Sequence, residues 1–159
     1  MNNSLITKKG FIKLKSEFDY LSQKERPKTV NGVAIAAAEG DRSENAEYIY
    51  GKKKLREIDK RLQYLSKLLK DTIIIDSSKV STTVVSFGCK VSILDENNNQ
   101  KTFTIVGEGE SDLKDHSISY KAIVAKALMG KKIGEIAEIE LQKGLVEYEI
   151  LSIEVGDIE

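Results

Sequence analysis

Within Gly40-Asp41-Arg42-Ser43-Glu44-Asn45-Ala46-Glu47-Tyr48, two carboxylates stand three residues apart at Asp41 and Glu44, with a third acid at Glu47 on the flank. Carboxylate oxygens are hard donors, and a metal held by them would be Mg2+, Mn2+ or Ca2+. The chain has one cysteine, Cys89, and one histidine, His116. That excludes an internal disulfide, a cysteine-based zinc site, a histidine-rich metal site, and any Ser/His/Asp or Cys/His nucleophile arrangement. Two carboxylates alone hold Mg2+ weakly, because the ion keeps waters and takes further ligands from a phosphate or a partner. A site of this kind is incomplete in the free protein and is completed elsewhere. The same spacing also fits a capping box, with Asp41 as N-cap and Glu44 reaching back to free backbone amides. The two readings are compatible.

A basic run follows, Lys52-Lys53-Lys54 and Arg56, then Lys60 and Arg61. Its plain reading is the solvated face of a coiled coil. Its functional reading is a phosphate- or RNA-contacting track leading to the acids, to which Arg42 and Tyr50 add a guanidinium plane and a ring for base stacking. Acids that hold an ion beside a basic face that holds a strand are the parts of metal-assisted phosphodiester hydrolysis. Overall neutrality conceals the asymmetry. Residues 1–70 carry 16 Lys+Arg against 9 Asp+Glu, and residues 71–159 carry 9 against 16. A basic first half suits nucleic acid or an acidic groove, and an acidic second half suits a protein partner.

The elements that must position these groups are legible as heptads. Phe11, Leu14, Phe18 and Leu21 form one seam; Leu55, Ile58, Leu62, Leu65 and Leu69 form another, with Tyr48 one heptad ahead. Pro27 interrupts the first and should kink or restart the helix. The smaller residues Val30, Val33, Ala34, Ala37 and Ala38 allow close approach, and Gly40 ends the helix. The second helix is expected to start near Ser43 or Glu44, with Glu57 and Arg61 pairing four residues apart. An antiparallel helical hairpin follows. With ~30 residues per arm it would reach roughly 45 Å, with the acids at its tip.

At Thr72-Ile73-Ile74-Ile75-Asp76 the pattern changes to a β-branched run. The domain boundary is placed there, giving 1–75 as the coiled coil and 76–159 as a second domain. In the latter, strands are predicted at 84–88, 90–94 and 102–107, with a polar turn at 95–100. An acidic loop over 108–117, a helix over 120–129 stopped by Gly130, and a hairpin turned at Lys143-Gly144 complete it. The fold class is α+β, a short helix covering an antiparallel sheet. No long apolar run indicates a membrane span. The N-terminus lacks the apolar core of a signal peptide, so a cytoplasmic location and a monomer are expected.

The tip motif Gly40 to Tyr48, with Lys52 to Arg61 after it and Arg26-Pro27 before it, closely resembles the bacterial Gre transcript cleavage factors, the GreB type more than the GreA type. Phe87-Gly88, Ile105-Val106-Gly107, Ile118-Ser119 and Ala127 to Lys131 match that family's pattern in the same order. The resemblance covers nearly the whole chain. It implies a coiled-coil hairpin joined to an FKBP-like domain used for docking, not for prolyl isomerisation. It implies binding to bacterial RNA polymerase, with the hairpin in the secondary channel. There Asp41 and Glu44 would help hold a second Mg2+ with the polymerase and position water to cleave the RNA 3′ end extruded in backtracked complexes. The catalytic chemistry would be the polymerase's, so the protein is not itself an enzyme. Arg42, Lys52, Lys53, Lys54 and Arg56 map to the RNA-facing track, and Ser119, Ala122 and Ile123 to the polymerase-docking segment. Where the family usually carries a Ser-Pro pair, this chain has Ala122-Ile123. A non-cleaving regulator that enters the same channel is the alternative, and a coiled-coil scaffold independent of Mg2+ and polymerase is a third.

Overall fold

A computed structural model describes residues 4–40 and 45–159. Two compact units emerge, Ile12–Lys70 and a second made of Met1–Phe11 with Asp71–Glu159. The division differs from a cut at residue 75. Strand β1 (Ser4–Thr7) pairs in parallel with β2 (Thr72–Ile75), Ser4 against Thr72 through Thr7 against Ile75, so the first residues belong with the second half.

In the unit Ile12–Lys70, helix α1 (Lys8–Tyr20) runs into a π-helical turn over Leu21–Glu25, and α2 (Arg26–Ala38) follows with Pro27 in its first turn. Proline lacks an N–H and is tolerated in a first turn but not in a helix interior. Widening the preceding turn to π geometry lets the helix restart at Arg26. Helix α3 (Ala46–Leu69) returns antiparallel and has 24 residues, about 36 Å of helix and shorter than the sequence estimate. The buried positions are Leu14, Thr29, Ala36, Ile58 and Leu65. They form a narrow seam in which the heptad positions Leu14, Ile58 and Leu65 appear as expected.

Three interhelical ion pairs run along the described arms. Arg61 grips Glu17 with two hydrogen bonds, 2.6 Å from Nε and 2.9 Å from Nη2. Lys54 pairs with Glu25, and Arg26 Nε reaches Asp59 at 2.7 Å. Arg61 therefore pairs across the hairpin and not with Glu57 on its own helix, as the local spacing suggested. Further out Gly51 faces Val33. A methyl group on Gly51 would come within 2.7 Å of Val33 Cγ2, so the small residue here permits the close approach.

The other unit is a five-stranded sheet in the order β5-β4-β3-β7-β6. Its strands are β3 (Cys89–Leu94), β4 (Gln100–Val106), β5 (Ser117–Ser119), β6 (Ile136–Leu141) and β7 (Gly144–Val155). All pairings are antiparallel except β4 with β5, which is parallel, so the sheet is mixed and not purely antiparallel. Alternation places Cys89, Val91 and Ile93 of β3 and Ala137 and Ile139 of β6 inside. On β7 the inward positions run Tyr148, Ile150, then Ile153, because the register against β3 shifts between Ser92 and Ile93. A β-bulge inserts one residue and so moves the inward parity by one.

Helix α4 (Ile123–Leu128) is shorter than predicted and sends Ala125 and Leu128 into the core. The stretch 84–88 is not a strand. Val85 and Phe87 are buried, and Val85 exchanges backbone hydrogen bonds with Gly130 and Lys131, but no ladder forms. Cys89 is buried there and its thiol is pushed up by desolvation, as suits a small core residue.

Candidate functional site

The loop carrying Asp41, Arg42 and Glu44 lies outside the described residues, but both of its anchors are described. Helix α2 ends at Ala38, with Glu39 as C-cap donating its N–H to the Ala36 carbonyl at 3.2 Å. Helix α3 is capped by Asn45, whose backbone is extended (φ −84°, ψ 103°) and whose Oδ1 accepts the Tyr48 N–H at 3.1 Å. The helix therefore starts at Ala46, and Asn45, not Asp41, is its N-cap.

Asn45 also looks the other way. Its Nδ2 donates to the Ala36 carbonyl at 2.7 Å. The last four carbonyls of a helix have no partner within it, and this bond satisfies one of them. The orientation of the carboxamide is fixed by its partners, an N–H on one side and a carbonyl on the other. One side chain thus joins the end of α2 to the start of α3. The sequence alone does not single out Asn45, because Asp41 and Glu44 fit a capping box equally well.

The basic run divides by helix face. Lys52, Lys53, Arg56 and Lys60 are exposed on α3. Lys54 turns toward the π-helical turn ahead of α2, where Glu25 raises its pKa and Lys54 in turn lowers that of Glu25, in each case chiefly through their hydrogen bond. Lys54 is therefore committed to holding the arms together, and the outward track consists of the other four. Arg61, likewise, is held by Glu17. Tyr50 is 69% exposed and stands on the outer surface near the start of α3, available for stacking.

In the sheet unit, Ser119, Ala122 and Ile123 come together in one turn. The Ala122 N–H donates to the Ser119 carbonyl at 2.9 Å, and Ser119 Oγ accepts the Lys121 N–H at 3.2 Å. Ala122 is the N-cap of α4 and supplies no side-chain cap, and Ile123, which follows, is 64% exposed. The turn is anchored by Tyr120, whose ring meets Phe87 edge-on at 5.4 Å and whose hydroxyl accepts the Leu5 N–H. Among the described residues no group of three or more His, Cys, Asp or Glu is arranged to hold a metal, and no helix is long and apolar enough to cross a membrane.

A helical hairpin and a five-stranded mixed sheet define an α+β protein. Residues 4–74 match the family model described as "Transcription elongation factor, N-terminal", and residues 80–155 match "Transcription elongation factor, GreA/GreB, C-term". The chain belongs to the GreA/GreB transcription elongation factor family. It is 44% identical to transcription elongation factor GreB of Vibrio cholerae over 156 residues, covering 97% of this chain and 96% of that one. It is 38% identical to transcription elongation factor GreA of Sinorhizobium medicae over 152 residues, covering 95% and 96%. The crystal structure of GreA factor homolog 1 of Thermus thermophilus is similar with a TM-score of 0.45 at 19% identity, covering 96% of this chain and 99% of that one.

Proposed function

We propose that this protein binds bacterial RNA polymerase, enters its secondary channel with the hairpin, and stimulates cleavage of the extruded RNA 3′ end in backtracked complexes. The observation that carries the reading is the sequence position of two acids, Asp41 and Glu44, in the short segment between the arms of a helical hairpin whose second arm is capped by Asn45. Membership of the GreA/GreB family supports the same reading.

Two carboxylates are the right donors for Mg2+ but too few for an octahedral ion, so they fit a site completed by the polymerase. When bound, Mg2+ would polarise the scissile phosphate and lower the pKa of an attacking water. Asp41 and Glu44 would hold it from one side. Arg42 with Lys52, Lys53 and Arg56 would neutralise the RNA phosphates along the approach. Ser119, Ala122 and Ile123 would dock on the polymerase, Ile123 offering the apolar contact. The protein would act as a monomer in the cytoplasm and would not cut RNA alone.

The test is a stalled, backtracked elongation complex assayed with and without the protein for short RNA release and resumed extension. The expected result is faster release and resumption, and no cutting of free RNA without polymerase. Cutting of free RNA would overturn the division of labour. Slowed release would favour the alternative of a non-cleaving channel regulator, which the uncapped Ala122-Ile123 turn keeps in view. Effects independent of both Mg2+ and polymerase would point to a scaffold.

A further inference from the structure

We infer that the outer face of β6 and β7 is a docking surface for a second copy of this chain, which lays on it the exposed basic face of its own α3. The inference rests on charge and spacing and on no part of the function proposed above. β6 is an edge strand, and its outward residues Ile136, Glu138 and Glu140 are all exposed. Directly opposite them on β7 stand Glu149, Glu147 and Leu145, exposed as well. Four glutamates thus lie between two aliphatic side chains, Ile136 at 53% exposure and Leu145 at 57%. Glu96, whose carboxylate accepts the Glu147 N–H at 2.9 Å, adds a further acid beside them. Like charges directly opposite, as at Glu138 and Glu147, weaken a strand pair. Among the described residues no cation pairs with any of the four.

Helix α3 carries the complement. Lys53, Arg56 and Lys60 are exposed and, unlike Lys54 and Arg61, form no ion pair among the described residues. Ile49, 52% exposed, stands one turn ahead of Lys53. At 3.6 residues per turn these four fall in one stripe about 60° wide, with neighbours about 4.5–6 Å apart along the axis. Alternate residues of a strand are about 6.8 Å apart, and adjacent strands about 4.8 Å. Ile49-Lys53-Arg56-Lys60 therefore reads apolar then basic where Ile136-Glu138-Glu140 reads apolar then acidic, at similar intervals. Of the acids on this part of α3, Asp59 is held by Arg26 and Glu57 lies on the flank of the stripe.

The two surfaces differ, so the contact is heterologous and copies add head to tail unless a ring closes. Exposed ion pairs are individually weak, which makes the association weak and salt-sensitive. It covers the basic face in the free protein, while the species proposed to act on polymerase is the monomer.

Sedimentation velocity of the full chain in about 0.1 M salt should show the mean mass rising with concentration. In about 1 M salt, where the screening length falls from about 10 Å to about 3 Å, the association should weaken at least about 10-fold. Glu138→Lys with Glu147→Lys should abolish it, and so should Lys53→Glu with Arg56→Glu. Mixing these two variants is the sharper test. The reversed sheet face of one then meets the reversed helix face of the other, and a mixed complex should form where neither variant associates alone. Should a reversal unfold the chain by circular dichroism, Glu138→Gln and Arg56→Gln answer the same question, each weakening association several-fold.

A wild type that stays monomeric in 0.1 M salt would overturn the inference and leave the glutamates as protection of a sheet edge. Association that neither salt nor substitution weakens would overturn it too, as would folded variants that fail to combine on mixing. No polymerase enters these measurements, so their outcome is separate from that of the cleavage assay.

Discussion

The two units solve the same problem with opposite means. The sheet unit closes Val91, Ile93, Ile105, Ile139 and Ile150 around one another at 0–1% exposure. The hairpin has a single seam and adds Arg61–Glu17, Lys54–Glu25 and Arg26–Asp59 across it. A narrow pair of helices cannot enclose a core, and what it lacks in buried apolar area it replaces with charge and with small residues such as Gly51 that let the backbones approach. The difference suits the division of work. In the function proposed above, a packed body would give a stable docking surface, and a thin arm would carry two acids to a place a packed body could not enter.

The largest effect should fall in the sheet. Ile93→Ala empties a fully buried position and should lower stability by about 2–5 kcal/mol in denaturant unfolding followed by circular dichroism. A loss well under 1 kcal/mol would break the contrast between the units.

Next come two glycines of the hairpin. A Cβ on Gly32 meets nothing within 4 Å, while one on Gly51 meets Val33 Cγ2 at 2.7 Å. Gly32→Ala should therefore gain up to about 1 kcal/mol from helix propensity, and Gly51→Ala should not. Equal gains in thermal melts would mean that the arms do not pack closely there.

The smallest effect belongs to charge. Glu17→Gln should cost about 0.5 kcal/mol at neutral pH, since the pair is partly exposed and screened. Arg61 holds the Glu17 carboxyl below its ordinary value near 4.5, chiefly by hydrogen bonding. A carboxyl depressed in the folded state contributes stability above its unfolded pKa and loses it as pH falls through the folded one. The wild-type advantage over Glu17→Gln should thus be full at pH 6 and fall away as acid carries the pH below the ordinary carboxylate range and through the lowered folded pKa. A constant difference across that range, measured by melting at each pH, would show that the pair is not the cause.

How much of this was visible in the sequence depended on range. The heptads announced the hairpin because i, i+3 and i+4 spacing is local. The partner of Arg61 was not visible, because Glu57 offers a local pair and Glu17 a distant one, and only the folded register chooses between them. The strand Ser4–Thr7 was missed because four residues with no long alternation acquire strand character only by meeting Thr72–Ile75. The three-residue β5 was missed for the same reason. At 84–88 an apolar run predicts a strand, whereas Val85 and Phe87 are buried without a ladder. At the tip, Asp41 and Asn45 are equally good N-caps by type. In the fold Asn45 is the cap and its Nδ2 also reaches the Ala36 carbonyl, a contact between helices that spacing within one helix does not reveal.

Asp41 and Glu44 are proposed to act as metal-holding acids and not as caps. Because Asn45 caps α3, Asp41→Asn and Glu44→Gln remove charge and leave the cap intact. The direct measurement is the rate of RNA cleavage by backtracked polymerase with each variant over a range of Mg2+. The expected result is normal polymerase binding and melting temperature with stimulation reduced at least about 10-fold, the effect of losing roughly 1.4 kcal/mol at the barrier. Wild-type stimulation by both variants would contradict it.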